Sequence, residues 1–541
     1  MQHRELVSCH LRHDVRLTPP EIKHGMARRF EMNVLGVYSV ENYFSISTPM
    51  DIATEIPFGI SIVLTALEKG GNRVDLIVFT SASPIHSMLL EAMQQFQPRM
   101  LCLTAVSTQY SLIREVAMTA KKIDPSLFII LGGHHASLQP EKVIQDPCLD
   151  AICIGEGDLA VVELASQLEA GRIPSGIPGL WIKRDASGQN WEKNPPNRFF
   201  ADLDQLPFIN RKLWSKWTHD ENKMPSVLVG RGCPYRCTYC SNHAMQKLAK
   251  GKYVRFRSVD NLIAEIQTII TDNPRVEDVY LEVETIGVYP DYCLELGRKL
   301  LEFNTLRERP LSFGANIAPS KRLLAQKHLL EEILGLFSKA GVRFLNIGLE
   351  SGSERVRKEV LRRPDHSNQA IIDFCLCAKS HGIDINLFIL FGLPTETPAD
   401  YLETVQVARA CKPNRVYHSI FFPYPGTDLY FQAMAQGLID DNVLINNKAE
   451  RARPVLNSQI FPRYRVMFEY VIFPIRCYRG VWSIRKIAFA TTRNLLSIYP
   501  GLYAGVRRLL SSTHFTKALY GKYKSKSFSA DEAHDRSVPP V

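Results

Sequence analysis

The sequence lacks an apolar run long enough to cross a membrane. None of its 541 residues lies in a stretch of about 18 apolar residues. The opening MQHRELVSCHLRHDVR has no apolar core of signal-peptide length, so we expect a cytoplasmic protein. With 45% hydrophobic and 22% charged residues, the composition is typical of a globular chain. The length exceeds what one hydrophobic core holds and predicts about three domains.

Cysteines are scarce and mostly scattered. Nine of the twelve stand singly or as the near pair Cys375 and Cys377, which fits a reducing compartment better than a disulfide framework. The other three, Cys233, Cys237 and Cys240, form C-x3-C-x2-C in GRGCPYRCTYCSN, directly after the strand-like PSVLV. Three thiolates on one loop can hold three irons of a 4Fe–4S cubane and leave the fourth open. The alternative is a zinc or iron–sulfur site completed by a distant Cys or His.

Other catalytic signatures are missing. The chain has no Ser/His/Asp constellation and no phosphate loop. Its formal net charge of +10 is spread along the sequence, with one concentration after about Arg451. Phosphate binding needs basic charge gathered on one face, so nucleic acid is not the expected partner.

The first third of the chain predicts a doubly wound α/β domain over residues 30–170. Helical spacing alternates there with continuous apolar runs, as in a parallel sheet covered on both faces and of flavodoxin-like size. The runs are Val74–Phe79, Met100–Val106, Leu127–Leu131 and Ala151–Ile154. Residues 171–223 are rich in Pro, Gly and Asn, which predicts a linker without regular elements.

A second alternating series predicts a partial (β/α)6 barrel over residues 224–437, with an active site at the carboxyl ends of its strands. The apolar runs are Val227–Val229, Val279–Val283, Leu311–Phe313, Phe344–Leu349, Ile385–Phe391 and Val416–Phe422. Residues 438–513 are basic, aromatic and helical in pattern, and the polar tail at 514–541 is expected to be disordered.

The cysteine loop resembles the signature of the radical S-adenosylmethionine (SAM) superfamily. The resemblance implies that SAM chelates the open iron and that reduction cleaves SAM to methionine and a 5′-deoxyadenosyl radical. The aromatic residue that commonly precedes the last cysteine is Tyr239 here. The runs LEVET, NIGLESGSE and FILFGLPTET resemble later strands of that family. By this resemblance, the residues expected to contact SAM are Tyr239, Glu282, Glu284, Glu350, Ser351, Ile389 and Gly392.

The N-terminal half resembles the cobalamin-binding domain that precedes many radical SAM domains. The resemblance rests on IPFGISIVLTALEKGG, LGGHHASLQPE and DAICIGEGD, in that order. It implies cobalamin contacts at Thr104, Ser107, Thr108, Gly132, Gly133, Glu156 and Gly157. Glycine pairs let a backbone lie close to a flat macrocycle. An alternative is an α/β module that binds no corrin and only positions substrate or partner.

The lower ligand of cobalt is left open by the sequence. A D-x-H-x-x-G loop, whose His ligates cobalt in many cobalamin proteins, does not occur, and the comparable segment reads GVYSVENYFSI. His86, His134 and His135 are the candidate side chains, and water or no ligand are the alternatives.

The C-terminal third interleaves aromatic residues with Arg at helical intervals. A helical cap on the barrel explains this pattern if the Arg side chains extend along the surface. The alternatives are an interfacial helix on anionic lipid, a lid over a lipid-like substrate, or an RNA-binding face.

Together these features predict a radical SAM enzyme with cobalamin as methyl carrier. The expected reaction is methylation of an unactivated carbon, or phosphorus, of a small molecule such as a lipid-like or natural-product intermediate, with flavodoxin or ferredoxin as reductant. Cyclisation, rearrangement or oxidation without methyl transfer is one alternative. The others are a non-catalytic cobalamin or iron–sulfur protein and a tRNA-modifying enzyme.

Overall fold

The structure is a computed structural model that describes residues 32–41, 43–185, 190–284, 286–364, 366–440, 450–451 and 453–499. The tail predicted to be disordered at 514–541 lies outside these residues. Within the described part of the chain, none of the helices combines the length and the apolar character that crossing a bilayer requires.

The N-terminal domain is built on a seven-stranded sheet. The chain-order strands up to residue 193 are β1 Asn33–Val40, β2 Met50–Ile52, β3 Arg73–Thr80, β4 Met100–Thr104, β5 Phe128–Gly132, β6 Ala151–Cys153, β7 Leu180–Lys183 and β8 Trp191–Lys193. All but β2 form the sheet, in the order β3-β1-β4-β5-β6-β7-β8. The first five strands of that order are parallel. This is the doubly wound, flavodoxin-like order, which confirms the predicted fold class.

Helices cover both faces of this sheet. They are α1 Phe58–Lys69, α2 Ile85–Phe96, α3 Tyr110–Ile123, the short α4 His134–Leu138 and α5 Pro140–Val143, and α6 Ala160–Glu169. One apolar core lies between the sheet and helices α1 and α6, and a second lies under α2 and α3. Burial on both faces is the reason that the strands read as continuous apolar runs.

The segment predicted as a structureless linker contains regular elements. Strands β7 and β8 extend the sheet in antiparallel fashion, and a short α7 (Lys212–Ser215) and β9 (Thr218–Asp220) follow, the latter paired with β2. Trp181 and Trp191 hold the added strands, because the Lys193 ammonium lies over both rings, 4.4 and 5.8 Å from their centres. The surrounding Pro and Gly obscure these short strands in the sequence.

The second domain is a six-stranded parallel sheet in sequential order, β10-β13-β14-β15-β16-β17. Its strands are β10 Ser226–Leu228, β13 Asp278–Glu282, β14 Ser312–Ile317, β15 Val342–Glu350, β16 Asp384–Phe391 and β17 Arg415–Ile420, and a separate ribbon pairs β11 Gly230–Arg231 with β12 Arg255–Phe256. Each of the six predicted apolar runs overlaps one strand of the sheet.

Helices alternate with these strands. They are α8 Ser241–Gln246, α9 Val259–Asp272, α10 Pro290–Thr305, α11 Lys321–Ala325, α12 Lys327–Lys339, α13 Asn368–Ser380, α14 Pro398–Ala410 and α15 Asp428–Ala435. Ser258 caps α9, since its hydroxyl accepts a hydrogen bond from the backbone N–H of Asn261 at 3.2 Å. The apolar side chains of the strands pack with these helices in one large core.

The opposite, inner face of the sheet carries polar side chains. Tyr280 donates to Asn316 at 2.6 Å, Asn346 donates to both, and Asn386 donates to Asn346 at 3.0 Å. This Tyr–Asn ladder crosses four neighbouring strands. Burial, followed by the Glu282 carboxylate, raises the pKa of Tyr280. A sequential parallel sheet with its helices packed on one face is the arrangement of the predicted partial (β/α)6 barrel.

Two helices close the described chain. They are α16 Arg463–Tyr478 and α17 Ile484–Ser497. Val466, Phe473 and Cys477 of α16 pack into the helix-side core of the barrel, and Asn494 of α17 donates to the Tyr470 carbonyl at 3.0 Å. The predicted helical cap is therefore a hairpin lying on the outside of the barrel.

Candidate active site

The cysteine loop is fixed at the carboxyl end of the barrel by one buried threonine. Thr238 donates through its hydroxyl to the Val360 carbonyl at 2.6 Å and through its N–H to the Leu361 carbonyl at 3.0 Å. Its carbonyl accepts the N–H of Leu429, at the start of α15, at 2.8 Å. Thr238 thereby ties the loop to the segments that follow β15 and β17.

The three predicted ligands lie together on this loop. Cys237 is buried, Cys233 and Cys240 are partly buried, and the Cys240 N–H donates to the Cys237 carbonyl at 3.2 Å. Burial raises the pKa of Cys233 and of Cys240 to about 12, with smaller contributions from the neighbouring thiols. The thiols are therefore protonated when free, and iron binding must displace their protons.

The donor set fits a cubane better than a single metal ion. Among the described residues, no three His, Cys, Asp or Glu side chains surround one point closely enough to hold a single ion. In a 4Fe–4S cluster each thiolate binds a different iron, so three thiols need not converge on a point. The assignment of Cys233, Cys237 and Cys240 as the cluster ligands remains a prediction that this arrangement supports.

An arginine that the sequence reasoning missed lies beside the cysteine loop. Arg363 donates to the Tyr239 hydroxyl at 2.8 Å and to the Gly348 carbonyl at 2.6 Å, and its guanidinium is 3.7 Å from the Glu350 carboxylate. Its charge also acts to lower the pKa of Cys237, against the larger effect of burial. Because Arg363 lies in a loop outside every strand-like run, nothing in the sequence marked it.

Glu350 has a strained backbone at the end of β15. Its φ is +60°, in the left-handed region, and the pairing of β15 with β16 shifts between Gly348 and Glu350. A non-glycine residue held in this region costs on the order of 1 kcal/mol, and such strain concentrates at functional sites. The bulge directs a carboxylate toward Arg363 and the cysteine loop.

Glu282 and Glu284 lie at the end of the neighbouring strand β13. Burial, followed by the charge of Glu284, raises the pKa of Glu282 to about 8, so this carboxyl is largely protonated at neutral pH. Glu284 opens to the mouth of the barrel, where Asn242 lies 3.5 Å from its carboxylate. The two side chains therefore offer different chemistry at one rim, a proton donor and a hydrogen-bonded carboxylate.

Of three other predicted SAM contacts, two have buried side chains and the third is a glycine. The Ser351 hydroxyl is fully buried and lies 3.2 Å from that of Thr404. Ile389 is buried in the helix-side core, and Gly392 is held at a φ of +74° while its N–H donates to Glu396 at 2.6 Å. For these three residues the predicted SAM contact therefore rests on backbone atoms alone.

The predicted cobalamin contacts lie at the carboxyl edge of the N-terminal sheet. Thr104 ends β4, and Ser107 and Thr108 follow it. The neighbouring strand β1 lies where the strand order reverses. Ligands of doubly wound sheets bind at this crevice. Gly133 has a φ of +90°, and a Cβ added there would lie 2.7 Å from the Thr104 hydroxyl, so this position requires glycine. A Cβ added at Gly132 would meet nothing closer than 3.7 Å.

The histidine candidates differ in their surroundings. The Nδ1 atom of His135 lies 3.1 Å from the Ser107 hydroxyl, and its ring centre lies 4.2 Å from that of Tyr110. Burial lowers the pKa of His135 to about 4, with a smaller effect from Lys142. The side chains of His134 and His86 are exposed. The structure favours none of the three over the alternatives.

The GEGD loop contacts the barrel. The two Glu156 oxygens accept from Arg255 at 2.7 and 3.0 Å; one of them also lies 3.3 Å from Arg231, and the other accepts the Phe200 N–H. The carboxylate is thus engaged by the barrel, and the cobalamin contact of Glu156 stays a prediction. A Cβ at Gly157 would lie 3.1 Å from the Cys153 sulfur, so its role is close packing. Sequence could not foresee the Glu156 partner, which lies 99 residues away.

Asp158 of the same loop makes a second pair. Its carboxylate accepts two hydrogen bonds from Arg231, at 2.7 and 3.0 Å. Arg231 lies two residues before Cys233, within the sequence GRGC that opens the cysteine loop. We call Glu156, Asp158, Arg231 and Arg255 the interdomain clasp, since it joins the N-terminal domain to the base of the cysteine loop.

The carboxyl edges of the two domains meet. A Cβ at Gly426, in the loop after β17, would lie 2.8 Å from that of Leu138 in α4. Nearby, loss of hydration and the neighbouring Glu450 carboxylate raise the pKa of Glu41 to about 7. Glu450 accepts a hydrogen bond from Tyr424. Glu41 directly follows β1, and Glu450 is bonded to Tyr424 after β17; the sequence reasoning missed both carboxyls.

Comparison with known proteins agrees with this geometry. The family model of the radical SAM superfamily matches residues 227–408, and that of the B12 binding domain matches residues 53–165. An uncharacterized methyltransferase of Pyrococcus horikoshii is 26% identical over 386 residues, which cover 71% of this chain and 79% of the relative.

Two solved structures share the fold. The radical SAM methyltransferase TsrM of Kitasatospora setae, with cobalamin and a 4Fe–4S cluster bound, superposes with a TM-score of 0.60 at 18% identity, covering 75% of each chain. The cobalamin-dependent radical SAM enzyme OxsB, with aquacobalamin and SAM bound, gives a TM-score of 0.64 at 15% identity, covering 92% of this chain and 75% of OxsB.

The fold and the two matched domains define a cofactor-dependent enzyme with a doubly wound domain ahead of a partial barrel. The chain belongs to the radical SAM superfamily and carries a B12-binding domain. Its cofactors are a 4Fe–4S cluster, SAM and cobalamin, as the sequence predicted.

Proposed function

We propose that this enzyme transfers a methyl group to an unactivated carbon or phosphorus of a small molecule. When bound, the cluster supplies the electron that cleaves SAM, and cobalamin carries the methyl group. The observation that carries the proposal is the meeting of the two carboxyl edges at Gly426 and Leu138, because a methyl carrier on one domain must reach a substrate activated on the other.

The described side chains suit this division of roles. Arg363 holds Tyr239 and Glu350 beside the cysteine loop, where a guanidinium is suited to a carboxylate such as that of SAM. The Tyr–Asn ladder engages the amides of the inner face, so the polar groups that remain for a substrate are those at the rim, such as Glu282. A low-potential protein such as flavodoxin or ferredoxin serves as the reductant.

Anaerobic purification with cobalamin, followed by iron, cobalt and 5′-deoxyadenosine assays, tests the cofactor roles. We expect about four irons and one cobalt per chain, with SAM cleavage by a strong reductant. Cys237→Ala is expected to abolish both cluster absorbance and 5′-deoxyadenosine. Cys377→Ala, a matched change on the outer helix α13, is expected to preserve them. Persistence of either signal in Cys237→Ala would contradict the ligand assignment.

Methyl-labelled SAM tests the outcome of the reaction. Label recovered in the product of a candidate small molecule supports methyl transfer. A modified product without label would instead identify cyclisation, rearrangement or oxidation. If the protein cleaves SAM but cannot bind cobalt, the proposed methyl transfer is contradicted.

A further inference from the structure

The hairpin formed by α16 and α17 has an unusual charge. Residues 451–499 contain nine Lys and Arg but a single acidic residue, Glu469, so they account for +8 of the chain's net +10. Glu469 is buried and already bonded to Arg476 and Arg465, at 2.6 and 3.0 Å. No acidic side chain of this segment is therefore left to offset the positive charge at its surface.

The same hairpin exposes large apolar side chains. On α16 they follow one another at helical spacing, at Tyr464, Phe468 and Ile475. Ile484, at the first turn of α17, is 86% exposed, and Leu495 lies on the same helix. Because soluble surfaces seldom gather large apolar side chains in this way, such a patch marks an interaction site.

The connection between the two helices has the composition of a membrane interface. Trp482 stacks on Tyr478 with ring centres 3.6 Å apart, and the Lys486 ammonium lies 4.1 Å from the Trp482 ring. Val481, beside them, is 63% exposed. Aromatic rings with Lys or Arg next to exposed aliphatic side chains are the residues that settle at the boundary of headgroups and acyl chains.

We infer that the α16–α17 hairpin docks on the surface of an anionic lipid bilayer. Charge argues against the other occupants. Residues 500–541, the remaining chain, carry seven Lys and Arg against three acidic residues, so they share the sign of the hairpin. A second copy would bring two basic surfaces together. RNA would match the charge, but it would leave Ile475, Ile484 and Leu495 without an apolar partner.

Cosedimentation of the full chain with vesicles tests the inference. We expect binding to phosphatidylcholine vesicles that contain about 30% phosphatidylglycerol, little binding to pure phosphatidylcholine, and weaker binding as salt increases. Ile484→Asp is expected to weaken binding about tenfold or more, since it puts a carboxylate at the apolar contact. The control is the same substitution at an exposed isoleucine away from the hairpin: Ile173→Asp, at a residue that is 81% exposed, is expected to leave vesicle binding unchanged.

A charge-removing pair completes the design. Arg485→Gln should weaken binding about fivefold, the effect of one basic residue near an anionic surface, and Lys327→Gln on the barrel should leave binding unchanged. Retained iron content verifies that each variant folds. Equal binding to both vesicle types, or normal binding by Ile484→Asp, would overturn the inference. A different occupant would also overturn the inference. It would show itself if vesicles do not bind and the protein is instead a dimer, or carries copurified RNA, that Ile484→Asp or Arg485→Gln releases.

Discussion

Asp158→Ala breaks one half of the interdomain clasp and leaves Arg231 without its bidentate partner. The side chains are 5% and 16% exposed, so water cannot replace the lost contact. Removing one partner of a buried pair costs about 3–5 kcal/mol, because a buried charge is left unpaired. Glu156, 3.3 Å from Arg231, remains and places the expected loss toward the lower end of that range.

Urea denaturation measures this loss as a change in the free energy of the first unfolding transition. The matched control is Glu332→Ala, which removes an exposed pair with Arg298 at 3.5 Å and is expected to cost less than about 1 kcal/mol. Adding Arg231→Met to Asp158→Ala should cost less than the two single changes together, because no unpaired charge remains. If Asp158→Ala costs no more than Glu332→Ala, the reasoning is refuted.

The clasp also has a defined pH dependence. Burial alone would raise the pKa of Glu156, but hydrogen bonds from Arg255 and the charge of Arg231 outweigh it and lower the pKa. A carboxyl with a lowered folded pKa contributes stability above its unfolded pKa, about 4.3, and loses it as the pH falls further. The contribution of the clasp to the free energy of unfolding should therefore be constant from neutral pH down to about 5 and decrease at lower pH.

Two further predictions concern the cofactor-facing loops. Glu396 is buried beneath the Gly392 turn, and burial raises its pKa to about 8; its ionisation in the unfolded chain therefore lowers stability as the pH rises from about 4.5 to 8. Glu396→Gln should remove that part of the decline, as urea midpoints at pH 5 and 8 would show, and an unchanged decline would count against it. Gly133→Val should lower corrin absorbance per chain while iron content stays the same, because its Cβ collides with Thr104. Gly59→Ala, in open space, is the control, and equal corrin content in both variants would contradict the placement of cobalamin.

The sequence predicted the two α/β domains because their strands are buried and read as apolar runs. It also placed the cysteine loop correctly after the strand PSVLV, since β10 and β11 precede it. It did not predict contacts with a distant partner. The bond of Glu156 to Arg255 follows only from the packing of two domains.

Side-chain direction was also not predicted. Ile389 and Asn386 belong to the same run, FILF and the residues before it, yet Ile389 enters the helix-side core and Asn386 the inner ladder. Strand alternation would have separated them once the ends of β16 were known. Arg363 carried no periodic signal at all, and only the folded loop brings it to Tyr239.

The Tyr–Asn ladder has a consequence for the polar groups inside the barrel. Asn346 is bonded to Tyr280, Asn316 and Asn386 on three other strands, and Phe344 fills the space beside Gly314. The amides of this face are therefore engaged with one another. The polar side chains that can answer to a bound molecule are those at the carboxyl ends of the strands, where Glu350 and Arg363 lie 3.7 Å apart.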